Sequence, residues 1–145
     1  MQKRRGFLIC PVRNSNPETQ KAIAAYVEKQ ETDGVEMYWP ARDTDQTDPH
    51  GWTICCHNRL AILDANEIHV WYDAASSGSE FDLGMLFAFF GLGWAKRVVI
   101  SNPEAVKSTP YKSFENVLLK MRDEMEKHFA LYDAVRKSAT HPFDL

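Results

Sequence analysis

The chain has 145 residues, 44% hydrophobic and 26% charged, with a formal net charge of -3 at pH 7. That length suits one domain around a single core, and the balance excludes both a disordered chain and a broad basic surface for a nucleic acid polymer. The longest apolar run, Met85 to Ala95, is far short of the ~20 residues that span a bilayer, so no membrane segment is expected and a small molecule is the expected partner.

Along the chain, basic Lys3-Arg4-Arg5 leads into Phe7-Leu8-Ile9-Cys10, which Pro11 closes. The run stops too early for the core of a secretory signal and reads as a strand buried on both faces. Asn16-Pro17-Glu18 supplies a cap, a first-turn proline and a first-turn acid for a helix ending near Gly34. Val35 to Tyr38 is a second strand, and Pro40 to Gly51, punctuated by prolines and glycine, reads as a loop or a lid. A helix over Ile54 to Ala65, a strand over Ile68 to Tyr72, a helix over Phe81 to Leu92 and a strand over Arg97 to Ser101 follow, then a long amphipathic helix from about Ser113 to Phe129. The almost wholly apolar stretch after Asp82 reads as a buried helix. The domain spans 1–133, with residues 134–145 as a C-terminal tail.

Strands alternating with helices predict an α/β fold, a flavodoxin-like or Rossmann-like three-layer sandwich with a central, mainly parallel sheet. Ligands of such sheets bind beyond the carboxyl ends of the strands. Those ends carry Pro11 to Asn14, then Arg42 and Asp43, then Asp73 to Asp82, then Ser101 and Asn102.

Ser79-x-x-Asp82 fits a capping box. The same geometry places the Asp82 carboxylate in the positive field of the first helical turn, which favours its ionised, nucleophilic form. Ser76 and Gly78 form a turn whose backbone N–H groups can face an anion. Arg13 is either a solvated loop residue or the partner of a ligand phosphate or carboxylate. Asn58 shares a helix face with Ile54, Ala61 and Ile62, which makes it either a hydrogen-bonded buried amide or a contact for ligand hydroxyls. Asp43, Asp45 and Asp48 lack the glycine and glutamate of a calcium loop, and the histidines lack zinc spacing, so no metal is assigned. Neither a phosphate-binding lysine loop nor a dinucleotide fingerprint is present, and no cofactor is assigned. Cys10, Cys55 and Cys56 form neither an even disulfide framework nor a metal knuckle and read as reduced packing residues of a cytoplasmic protein.

Ser76-x-Gly78-x-x-x-Asp82-Leu83-Gly84, preceded by Asp64-Ala65-Asn66-Glu67-Ile68-His69-Val70, resembles the nucleoside 2-deoxyribosyltransferase family and its relatives, the 2'-deoxynucleoside 5'-monophosphate N-glycosidases. The resemblance implies a carboxylate nucleophile that attacks C1' of a deoxyribose and expels the base. Water or a second base then resolves the glycosyl-enzyme. It puts Asp82 at the nucleophile's position and Asn58 at that of a catalytic aspartate. Arg13, Arg42, Asp43, Ser76 and Gly78 become substrate contacts, and the chain a homo-oligomer, a dimer or larger. Asp82 is one methylene shorter than the family's glutamate, and the amide of Asn58 cannot pass a proton. The alternative expectation is a nucleotide-binding sensor on the same fold. Ser76, where the transferases acting on free nucleosides carry an aspartate, implies a 5'-monophosphate ligand.

Overall fold

A computed structural model of the chain describes residues 2–138. Pro11 ends β1 (Arg4–Ile9) and releases the chain into a loop that leads to α1 (Pro17–Thr32). There Asn16 accepts the Thr19 N–H at 2.7 Å, Pro17 sits in the first turn, and Gly34, at φ 87, takes the left-handed conformation beyond the helix end. β2 (Val35–Tyr38) follows. The next stretch, expected as an irregular loop, opens with a short helix, α2 (Pro40–Asp43). Pro40 is pre-set for a first helical position, and Asp43 reaches back to accept the Trp39 N–H at 2.8 Å, so the turn is closed by its own side chains.

α3 (Trp52–Asp64) begins at Gly51, which has φ 78, and β3 (Glu67–Val70) begins one residue earlier than the apolar run implies. α4 (Ser77–Gly91) starts four residues before Phe81. β4 (Arg97–Ile100) leads through a short turn to α5 (Phe114–Ser138), which continues past Phe129 and into the stretch expected as a tail. Residues 139–145 of that expected tail lie outside the described residues.

The four strands pair in the order β2-β1-β3-β4, all parallel. Side chains alternate across β1. Phe7 and Ile9 pack with α3, α4 and α5 through Ile62, Leu86, Leu118 and Met125, while Leu8 and Cys10 pack against Ile23 and Val27 of α1. The result is the expected three-layer α/β sandwich. Gly6 is required by this packing, since a Cβ there would lie 2.6 Å from Met37 Sδ and 3.0 Å from Val35 Cγ1. Among the described residues no helix is long and apolar enough to cross a membrane.

Two findings run against the sequence pattern. α4, expected to be buried, is buried only along Ser79, Asp82, Leu83 and Leu86, while Phe81 and Phe87 face outward. β3 is buried throughout yet carries Glu67 and His69. Their polar atoms form a continuous chain. Arg4 donates to Glu67 at 2.6 and 3.2 Å, Glu67 lies 3.2 Å from His69 Nε2, and His69 Nδ1 lies 2.6 Å from the Tyr26 hydroxyl. Burial holds the His69 pKa below its ordinary value. The neutral ring therefore donates from Nε2 to the carboxylate and accepts the Tyr26 proton at Nδ1.

Candidate functional site around Asp82

From β1 the chain crosses one way to β2 and then back the other way to β3, so the carboxyl ends of β1 and β3 form the switch point where an open α/β sheet leaves a crevice. Asp82 lies at this point. It is 7% exposed. Burial raises the thiol pKa of Cys10, just past the end of β1, and of Cys55 in the first turn of α3, and the nearby Asp82 charge adds to both. Arg13, in the exposed loop after β1, acts on Cys55 in the opposite sense. The fold thus gathers Asp82, Cys10, Cys55 and Arg13 into one neighbourhood.

The helix start differs from the capping box read in the sequence. Ser76, not Ser79, is the cap. Its Oγ accepts the Ser79 N–H at 3.2 Å and lies 2.9 Å from the Ser79 hydroxyl, which is buried. Asp82 therefore falls in the second turn, where it caps nothing, and the first-turn acid is Glu80. The expected field effect is overturned as well. Burial pushes the Asp82 carboxyl up to about 7, because a low-dielectric site penalises the charged form. A carboxyl titrating near neutrality in a strand-end crevice is suited to giving or taking a proton, or to attacking carbon once ionised.

Asn58 is buried on α3, and its side-chain oxygen accepts from Thr44 Oγ1 at 2.9 Å. Thr44 in turn accepts from the Tyr38 hydroxyl at 2.6 Å. The chain thus uses the acceptor of Asn58, and its amide NH₂ is the group that can serve a ligand. Gly78 is an exposed second residue of α4, next to the cap.

Arg42 and Asp43 are occupied elsewhere. Arg42 donates to both Asp43 oxygens at 2.9 and 3.0 Å and to the Met37 carbonyl at 2.8 Å, and pairs with Glu31 at 2.9 Å. With Arg5, Tyr38 and Asp64 they line a cavity of about 440 Å³ beside edge strand β2; Asp82 is not among its lining residues. A smaller cavity, about 240 Å³, opens between α3 and α4 at Trp52, Cys56, Arg59, Phe81 and Met85.

Sequence reasoning read Ser79 as the cap, where it is the buried partner of the cap Ser76, and missed Thr44, which is buried against Asn58. Ser76 stands three positions before Ser79, the spacing that signals the true cap; nothing local signals Thr44. It also assigned Asn102 only to a strand end. The structure shows that side chain accepting the Tyr72 N–H at 2.7 Å and donating to the Tyr72 carbonyl at 2.8 Å. Asn102 so extends the β3–β4 pairing at the rim of the crevice. Among the described residues no three His, Cys, Asp or Glu side chains gather to hold a metal ion. Comparison of the chain with known protein families and with characterised proteins finds no match.

Proposed function

We propose that the protein cleaves or exchanges the N-glycosidic bond of a 2'-deoxynucleoside 5'-monophosphate, with Asp82 as the nucleophile, as a member of the nucleoside 2-deoxyribosyltransferase group. The observation that carries this reading is the placement of Asp82. It is a buried carboxyl in the second turn of α4 at the switch point, bound to no cap, and titrating at about 7. A capping carboxylate would be exposed, ionised and hydrogen-bonded to backbone N–H groups.

Attack by the ionised carboxylate on C1' forms a glycosyl ester as the base departs. Water or a second base then displaces Asp82 from C1'. Arg13 and the free N–H groups at the start of α4 bind the phosphate, and the Asn58 NH₂ donates to the sugar or base. The protein acts in the cytoplasm, as a homo-oligomer. Asn58 also favours a second reading, a nucleotide sensor, because it leaves the departing base without a side-chain acid at that position.

Incubation of the purified protein with deoxynucleosides and their monophosphates, with and without an acceptor base, separates the two readings. Base release that disappears in Asp82→Asn, while ligand affinity stays within about threefold (less than ~1 kcal/mol), is the expected outcome. Tight binding without base release supports the sensor. Base release undiminished in Asp82→Asn removes the nucleophile.

A further inference from the structure

Asn58 is 7% exposed, and the two ends of its amide are in different situations. The oxygen is engaged inside the protein. Thr44 Oγ1 donates to it at 2.9 Å, and the Tyr38 hydroxyl donates to Thr44 Oγ1 at 2.6 Å. The direction of this chain is set at its Tyr38 end. Run the other way, from the Asn58 amide through Thr44, it would leave the Tyr38 proton only the Asp43 carbonyl at 3.4 Å, too long for a bond from a hydroxyl. The protons therefore run toward Asn58, whose oxygen accepts and whose nitrogen faces away from Thr44.

Among the described residues nothing accepts from that NH₂, yet it is not sealed in the interior, as the unpartnered Arg5 Nε and Trp39 Nε1 are. A side chain more than nine-tenths buried thus turns its unused N–H bonds toward open space. That space is the strand-end crevice, because Cys55, one turn before Asn58 on the same face of α3, feels the charge of Asp82. α3 packs beside α4, so α4 supplies the carboxyl from one wall and α3 the amide from the other. Displacement at C1' puts nucleophile and leaving group on opposite sides of the carbon. With Asp82 attacking from α4, the base departs toward α3 and Asn58.

We infer that Asn58 selects the base, taking one with an oxo group, as in uracil or hypoxanthine, over the counterpart with an amino group in its place, cytosine or adenine. The inference rests on the glycosidic reading of the site and adds the class of base to it. An oxo oxygen accepts from the Asn58 NH₂, whereas an exocyclic amino group meets it donor to donor. The amide does not turn over to offer its oxygen, since that would break the bond from Thr44. The same contact answers the lack of an acid. As the bond from the Asp82 carboxylate to C1' forms, the bond from C1' to the base nitrogen breaks and its electron pair leaves with the base. Asn58 has no proton to give that nitrogen. In an oxo base the pair is conjugated onto the oxygen, where the preset N–H donor stabilises it as it would an oxyanion. Water protonates the departed anion.

Calorimetric titration of the Asp82→Asn protein, which holds the ligand without consuming it, tests this with two pairs of 5'-monophosphates: deoxyuridine against deoxycytidine, and deoxyinosine against deoxyadenosine. The oxo member of each pair is expected to bind at least about tenfold more tightly, the loss that follows when a buried donor is left facing a donor. Thr44→Val in that protein frees the amide to turn and should bring the ratio to within about threefold. Asn58→Asp, a group of the same shape that only accepts when ionised at pH 8, should reverse the ratio. It decides the question even if Thr44→Val, which strips a buried hydroxyl, folds poorly. Equal binding within both pairs, or a ratio that Asn58→Asp leaves unchanged, overturns the inference and leaves the glycosidic reading standing. Binding of none of the four overturns both. A wild-type protein that shows the ratio but releases no base retains the base selection and removes the glycosidic reading alone.

Discussion

The carboxyl of Asp82 makes opposite demands on stability and on chemistry. Its folded pKa, about 7, lies above the ordinary value of 3.8, so the folded chain holds this proton more tightly than the unfolded chain. The stability linked to it is complete below about pH 4 and is lost as pH rises through 7. Asp82→Asn should therefore stabilise the protein by about 2–4 kcal/mol at pH 8 and change little at pH 4, as read from urea midpoints at the two values. A capping role would produce a loss of ~1 kcal/mol. Catalysis needs the ionised form, so kcat/KM should rise with pH and level off above about 7. Arg13 provides a separate check. Arg13→Ala should weaken binding of a deoxynucleoside monophosphate by about tenfold (~1.4 kcal/mol) and leave the matching nucleoside unchanged in calorimetric titration. Equal losses for both would mean that Arg13 shapes the loop and does not read the phosphate.

At the level of elements, the strands and helices that the periodicity predicts are present, because their signals are local: Asn16-Pro17 opens α1, Gly34 closes it, and Pro11 ends β1. Boundaries moved where a side chain distant in sequence or facing backward decided them. α2 exists because Asp43 turns back to the Trp39 N–H, and α4 begins at Ser77 because Ser76 finds Ser79. Asp82 was legible as a residue of interest, but its environment was not. Burial at the end of β1 is a property of the assembled sheet, and so the expected low pKa became a raised one. The clamp of Asn102 on Tyr72 was equally out of reach, since it spans thirty residues. Asn102→Ala leaves a buried backbone N–H and carbonyl without partners and should cost about 2–4 kcal/mol at the loss expected of each orphaned group, measured by denaturant titration. Lys96 performs a similar task at the end of α3. Its ammonium donates to the Leu63 and Ala65 carbonyls, and burial lowers its pKa.

For the molecule as a whole, Asp82 and His69 oppose each other across the sheet. The lowered pKa of His69 means that its contribution is present above about 6.5 and fades as pH falls, the reverse of the trend at Asp82. Between about pH 4 and 6.5 the two slopes partly cancel, and Asp82→Asn should expose the His69 slope as a stability that climbs with pH. The order of the strands has a further consequence, for how the chain reaches this state. β1 is central and all three strand pairings are parallel, so no strand in the sheet has a hairpin neighbour. As the chain leaves the ribosome, β1, α1 and β2 emerge first. The face of β1 that carries Phe7 and Ile9 is then covered in full only when α3, α4 and α5 have been made. Loop closure over that distance precedes any reward from the central pairing, and a nascent chain halted after β2 presents a naked apolar sheet face.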